Sequence, residues 1–291
     1  MKQHGHIITA MLCTGLLLSV STSLMAVHRN TRSVENGINR GTITLKLKAT
    51  GRCYSGPCMN MLVTNLSSDS VYYKIEAGRR LKADNSSAQD ILITQDQQIA
   101  LAPRQKINYR LFGFCCQLSH HAPMPNAGYG IGAIAAPDLA AIASFLNRHN
   151  TYDISTQQNA VWCVSDNISL ASVMSYNREN IKPLLDTLAA IKHVTVPWYS
   201  LSYEKDKNML FSGRPETFNC DLRYYLANNA IVDISIYDST GTKLMTYSES
   251  PGNPDTYVIP ISLNVKGWAH GPYSICVSTD GNMILRKKFE L

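Results

Sequence analysis

The residues of this chain best suited to chemistry are its cysteines: Cys13, Cys53, Cys58, Cys115, Cys116, Cys163, Cys220 and Cys276. A thiol can pair as a disulfide, ligate a metal or, as thiolate, attack a carbonyl. Cys53 and Cys58 flank a short Gly- and Pro-containing stretch, Gly51-Arg52-Cys53-Tyr54-Ser55-Gly56-Pro57-Cys58, between two strand-like segments. That spacing predicts a local disulfide clamping a hairpin turn. A redox pair would want Cys-x-x-Cys at a helix start, which is absent here. Cys220 and Cys276 are a weaker candidate pair. Cys220 shares a strand face with Phe218 and Leu222, whereas Cys276 points opposite to Ile275 and Val277, so pairing them needs a bulge. Cys115 and Cys116 stand close to His120 and His121. Vicinal pairs lack the gaps that zinc ligands need, and neighbouring side chains in an extended segment diverge. The expectation is a solvent-facing loop with no metal. Cys115, Cys116 and Cys163 read as one disulfide plus one buried thiol.

Other reactive constellations are missing. The sequence has no Gly-x-Ser-x-Gly, His-Glu-x-x-His or phosphate loop. Gly128-Tyr129-Gly130-Ile131-Gly132 lacks the strand-helix context of a nucleotide fingerprint and reads as a loop entering a helix at Pro137. Asp166 reads as a helix or turn cap, and the carboxylates stand singly. No cofactor is implied, and no catalytic residue is assigned. An exported hydrolase with a site assembled from scattered loops is the rival from another class, and a structural envelope component is a third reading.

The 291 residues are enough for about two domains. At 45% hydrophobic, the composition excludes wholesale disorder. Only 16% of residues are charged, and with 15 Tyr, 17 Gly and 12 Pro this favours strands and turns over long solvated helices. The net charge of +6 is not gathered into runs, so nucleic acid is not an implied partner. A weakly basic start, an apolar stretch from Ile7 to Leu18 and small residues up to Ala26 read as a secretory signal peptide over residues 1–26, cut after Ala26. No other apolar run approaches a membrane span, so the processed chain reads as not integral to a membrane. Export favours disulfides. Loss of Cys13 with the signal leaves seven cysteines, an odd number.

These residues must be positioned by a two-part architecture. Residues 27–40 are polar and read as a flexible arm. Period-two patterns predict strands at Thr42–Lys48, Met59–Asn65, Val71–Ile75, Ile91–Thr94, Gln98–Leu101 and Ile107–Phe114, a sandwich-like β-unit. Helices follow: one from Pro137 with Leu139, Ile142, Phe145 and Leu146 on one face, one over Gln158–Val164, one over Glu179–Ile191. Residues 41–193 thus form an α+β domain. Residues 194–198 read as an extended linker. Residues 199–291 read as an all-β Ig-like sandwich of about seven short strands, with hairpin turns at Asp238-Ser239-Thr240-Gly241 and Asp280-Gly281. Val232, Ile234 and Ile236, and likewise Tyr273, Ile275 and Val277, should each supply an inner face.

Two segments resemble known families. Val232-Asp233-Ile234-Ser235-Ile236-Tyr237-Asp238-Ser239-Thr240-Gly241, Gly271-Pro272-Tyr273-Ser274-Ile275-Cys276-Val277 and the basic final strand resemble the C-terminal sorting domains of type IX secretion cargo. That resemblance covers about residues 214–291. It implies delivery through the periplasm to the cell surface or medium, with export machinery as a partner. Phe114-Cys115-Cys116 followed by Thr156-Gln157-Gln158-Asn159-Ala160-Val161-Trp162 is similar to the thioester domains of bacterial surface adhesins. The resemblance implies Cys115 as the thiol and Gln158 as the acyl donor of an internal thioester, with Cys116 as the alternative thiol. The same residues also read as a plain amphipathic helix, with Ala160, Val161 and Val164 in a core and Trp162 as an anchor. Together these readings make the chain an exported, non-enzymatic binding or adhesion protein with a protein or glycan ligand at the cell surface.

Overall fold

The computed structural model describes residues 31–51, 55–206 and 209–291. The signal segment 1–26 and Cys53 lie outside these residues. Strand is the dominant element, arranged in several sheets. In chain order the first part runs β1 (Arg32–Ser33), α1 (Val34–Asn39), β2 (Ile43–Ala49), β3 (Ser55–Asn65), β4 (Val71–Ile75), β5 (Arg79–Ala83), β6 (Ile91–Ile93), β7 (Gln97–Leu101), β8 (Lys106–Cys115) and β9 (Gly128–Ile134). Three helices follow: α2 (Pro137–Arg148), α3 (Ile154–Ser165) and α4 (Lys182–Lys192). The remainder is β10 (Ser200–Tyr203), β11 (Pro215–Leu226), β12 (Ala230–Tyr237), β13 (Lys243–Gly252), β14 (Asp255–Asn264), β15 (Pro272–Thr279) and β16 (Asn282–Glu290).

The first β-unit is a closed barrel in the order β2-β3-β8-β6-β5-β9, not a sandwich. Two strands absent from the period-two reading close it. β5 carries Arg79, Arg80 and Lys82 around a single buried Leu81, so its sequence looks solvated. Arg79 is nevertheless buried, with Nη1 donating to Glu35 at 3.0 Å and Nε to Glu76 at 2.8 Å. β9 is the glycine-rich segment, which is a barrel strand rather than a loop. Gly132 lies so close to β5 that a Cβ there would meet the Arg80 carbonyl oxygen at 2.7 Å. The arm is also structured from Arg32 onward. β1 pairs in parallel with β4, and Ser33 caps α1 by accepting from the Glu35 N–H. The sheet β1-β4-β7 adds Tyr73, Ile75, Ile99 and Leu101 to the barrel's apolar core.

Three helices lie in the expected order, but α3 starts at Ile154 rather than Gln158, and α4 starts at Lys182 rather than Glu179, after a 3-10 turn over Arg178–Ile181. Pro137 opens α2, Asp153 caps α3 by accepting from the Thr156 N–H at 2.8 Å, and α4 ends at His193 in a left-handed conformation. Their apolar faces share a second core with Leu92, Phe114 and Cys116 from the barrel wall. From Tyr199 onward two sheets, β10-β11-β14 and β13-β12-β15-β16, enclose a third core. Val232, Ile234, Ile236, Tyr273, Ile275 and Val277 all enter it, as alternation requires. Asp280 and Gly281, both at positive φ, make the β15–β16 turn. Residues Arg32–Leu291 form one compact unit. Among the described residues no helix is long and apolar enough to cross a membrane.

Candidate functional site

β8 ends at Cys115, where strand alternation sorts three consecutive side chains between two cores. Phe114 and Cys116 belong to the helical core, Cys115 to the barrel core. α3 runs past this strand end and presents Gln158 to it. The Gln158 Nε2 donates to the Cys115 carbonyl at 2.8 Å. Both residues are buried, Cys115 fully and Gln158 at 2% exposure, and Gln158 Oε1 has no hydrogen-bond partner. Gln157, equally buried, donates instead to the Tyr152 carbonyl at 2.6 Å. The fold therefore brings Cys115 and Gln158 together, through the carbonyl of the cysteine rather than its sulfur.

Burial dominates the thiols. It pushes the Cys115 thiol far above its ordinary range, with Cys58 and Cys116 nearby adding to the effect. It pushes Cys116 up to about 12, although Arg80 pulls the other way. Cys116 Sγ lies 3.4 Å from the Asp90 carbonyl, turned away from the Cys115 core. Cys163, raised by burial to about 11, lies 3.4 Å from the Ser169 carbonyl. The expected disulfide among Cys115, Cys116 and Cys163 is not formed; all three are separate buried thiols. Cys220 and Cys276 are separate too: Cys220 faces the core between the two C-terminal sheets and Cys276 does not. Their opposed strand parity is the reason. Cys58 lies inside β3 rather than beside a turn, with Sγ 3.5 Å from the Gly113 carbonyl. Its expected partner Cys53 lies outside the described residues.

Gln158 opens onto a cavity of about 660 Å³. Asn159 and Trp162 line it from α3, Tyr203 from the end of β10, and Leu210 and Phe211 from the connection between β10 and β11. Tyr203 and Phe211 rings lie 4.5 Å apart, and burial raises the Tyr203 hydroxyl to about 12. Arg214 spans the base of this connection, pairing with Glu204 at 3.2 Å and Asp206 at 3.0 Å. The Met209-Leu210-Phe211 wall is the part that sequence reasoning missed. Its only signal was an apolar triplet between two strands.

His120 and His121 border an adjoining cavity with Leu118 and Asp166. His120 Nδ1 lies 3.3 Å from the Ala88 carbonyl. Asp166 does follow α3 as its C-terminal cap, and its carboxylate accepts from the Leu118 N–H at 2.7 Å. It thereby ties the loop after β8 to the helix that carries Gln158. Among the described residues no group of three or more His, Cys, Asp or Glu side chains is placed to hold a metal ion.

No protein-family model, no curated protein and no solved structure matches this chain.

Proposed function

We propose that the chain is an exported cell-surface binding or adhesion protein. Its reactive centre is the Cys115–Gln158 pair, and its C-terminal third is an Ig-like sandwich serving secretion or attachment. The observation that carries this reading is the buried contact between two residues 43 positions apart, with the Gln158 carbonyl oxygen unpaired beside a cavity. A buried amide with one unmade hydrogen bond is costly, and such costs are retained where a site needs the group. The chemistry is acyl transfer within the chain. The Cys115 sulfur adds to Gln158 Cδ, the C–N bond breaks, and the amide nitrogen leaves as ammonia with the thiol proton. An external amine then takes the acyl group and returns the thiol. The step requires the Cys115 side chain to turn from the barrel core toward the amide. Exclusion of water from the site protects the acyl group from hydrolysis. The ligand is a surface protein or glycan, and the export machinery is the second partner. The resemblance of residues 214–291 to type IX sorting domains, together with the two-sheet arrangement around one core, supports the export role.

Incubation of the purified protein with dansylcadaverine tests the reading. Covalent uptake that survives denaturation, and is lost in Gln158→Ala and Cys115→Ala, is the expected result. Equal labelling of all three proteins would overturn it.

A further inference from the structure

The two C-terminal sheets have four edge strands, and the structure treats one of them differently. β10 is short and bulged at Ser202–Tyr203. β13 meets its neighbour through two register shifts and carries Pro251 near its end. β14 carries Pro260, and its Ser262 N–H is met by the Tyr247 hydroxyl at 3.4 Å. Bulges, prolines and side-chain caps are the devices that stop a strand edge from recruiting another strand. β16 has these only at its two ends. A register shift near its turn, between Val277 and Ser278 of the partner strand, leaves Ile284 as the extra, bulged residue. At the far end the Trp198 Nε1 donates to the Lys288 carbonyl at 2.8 Å, and the Tyr199 hydroxyl accepts from the Glu290 N–H at 3.0 Å.

These caps also fix which backbone groups face outward. Gly271 and Leu291 exchange both backbone hydrogen bonds, so residues 285, 287 and 289 face β15, and residues 286, 288 and 290 face away. Between the two ends, the N–H and C=O of Arg286 and the N–H of Lys288 face outward on a proline-free stretch that β15 does not use. Ile284, Arg286 and Lys288 are exposed. We infer that the β16 edge from Leu285 to Lys288 is a docking strand for an acidic extended segment of a partner protein, taken up by strand addition.

Charge selects that occupant. Arg286 and Lys288 project from the outward face of the strand, and Lys287 from the other, its Nζ 4.1 Å from the centre of the Trp198 ring. A second copy pairing β16 with β16 would set cations against cations, which is destabilising across a strand pair. A strand bearing Asp or Glu at alternate positions meets them favourably and completes the ladder.

The test uses the full-length protein and an acetylated, amidated Asp-Val-Asp-Val-Asp-Val peptide, with Lys-Val-Lys-Val-Lys-Val as the control. Arg286→Pro removes one outward N–H without touching the β15 ladder, but it also removes the bond from Arg286 Nε to the buried Ser274 hydroxyl at 3.1 Å, so it is compared with Arg286→Ala, which loses the same bond and keeps the N–H. The expected result is saturable binding of the acidic peptide at low salt, weakened by added salt, with slowed amide exchange at Arg286 and Lys288. Arg286→Pro should weaken it at least about tenfold relative to Arg286→Ala. Should Arg286→Pro prove unstable, Arg286→Glu offers the same edge with reversed charge and should transfer preference toward the basic peptide. No binding, equal binding of both peptides, exchange protection elsewhere, or self-association through β16 would each overturn the inference.

Discussion

Gln158 on α3 donates its side-chain amide to the carbonyl of Cys115 at the end of β8, 2.8 Å away and 43 residues earlier in the chain. This one bond ties the helical layer to the barrel wall at a fully buried point. Measured against parent protein in its free-amide form, Gln158→Ala removes this bond at a cost of about 1–3 kcal/mol. Urea unfolding of the variant should show that loss with an unchanged denaturant slope.

Arg79 makes a second tie of the same kind. It is buried at 2% exposure and bonds Glu76, Glu35, Ser33 and the Gly132 carbonyl. Partial burial raises the Glu76 carboxyl, but hydrogen bonds from Arg79 and Ser33 outweigh it and hold the group below its ordinary range. Arg79→Ala removes the guanidinium partner of Glu76 and of the Gly132 carbonyl and should destabilise by about 1–3 kcal/mol. Arg79→Lys should recover only part, because an ammonium cannot reproduce the guanidinium fork. Thermal melts of the two variants check both statements.

The glycines of β9 divide sharply. A Cβ at Gly132 would meet the Arg80 carbonyl oxygen at 2.7 Å, whereas a Cβ at Gly130 meets nothing within 4 Å. Gly132→Ala should therefore cost about 1–3 kcal/mol through a forced backbone shift. Gly130→Ala should be neutral or slightly stabilising. Equal melting temperatures for the two variants would contradict a barrel closed through β9.

Alkali should destabilise the fold through its thiols. Burial lifts Cys163 to about 11 and Cys116 to about 12, from an ordinary value of 9.0. A folded pKa above the unfolded one means the native state holds more protons in that window. The associated stability is fully present below pH 9 and lost as pH rises through 11 and 12. Each unit of difference corresponds to about 1.4 kcal/mol. Cys163→Ser should flatten the decline between pH 9 and 11 relative to the parent.

The C-terminal strands were legible because strands such as β11 alternate inward apolar with outward polar residues and turn residues such as Asp280-Gly281 separate them. The helices were legible from Pro137 and from their leucine and isoleucine spacing. The barrel was not. Its closing strands are β5, whose arginines find carboxylates far away in sequence, and β9, whose glycines permit close approach instead of supplying apolar bulk. Neither pattern differs locally from a polar loop. The Cys115–Gln158 proximity was read from a resemblance, and alternation alone would have sent the cysteine side chain to the barrel core. The opposed parity of Cys220 and Cys276 was visible in the sequence, and the structure keeps them apart. The wall formed by Leu210 and Phe211 was hidden because only the packing of the β10–β11 connection on the helical core gives that triplet a role.

The most direct measurement is the intact mass of the mature protein, unreduced and then reduced, for the parent and for Gln158→Ala. The account predicts a deficit of one ammonia in the parent that survives mild reduction and disappears on adding methylamine, and no such deficit in the variant. A mass explained by hydrogens alone, or a full complement of free thiols in the unmodified parent, would contradict it.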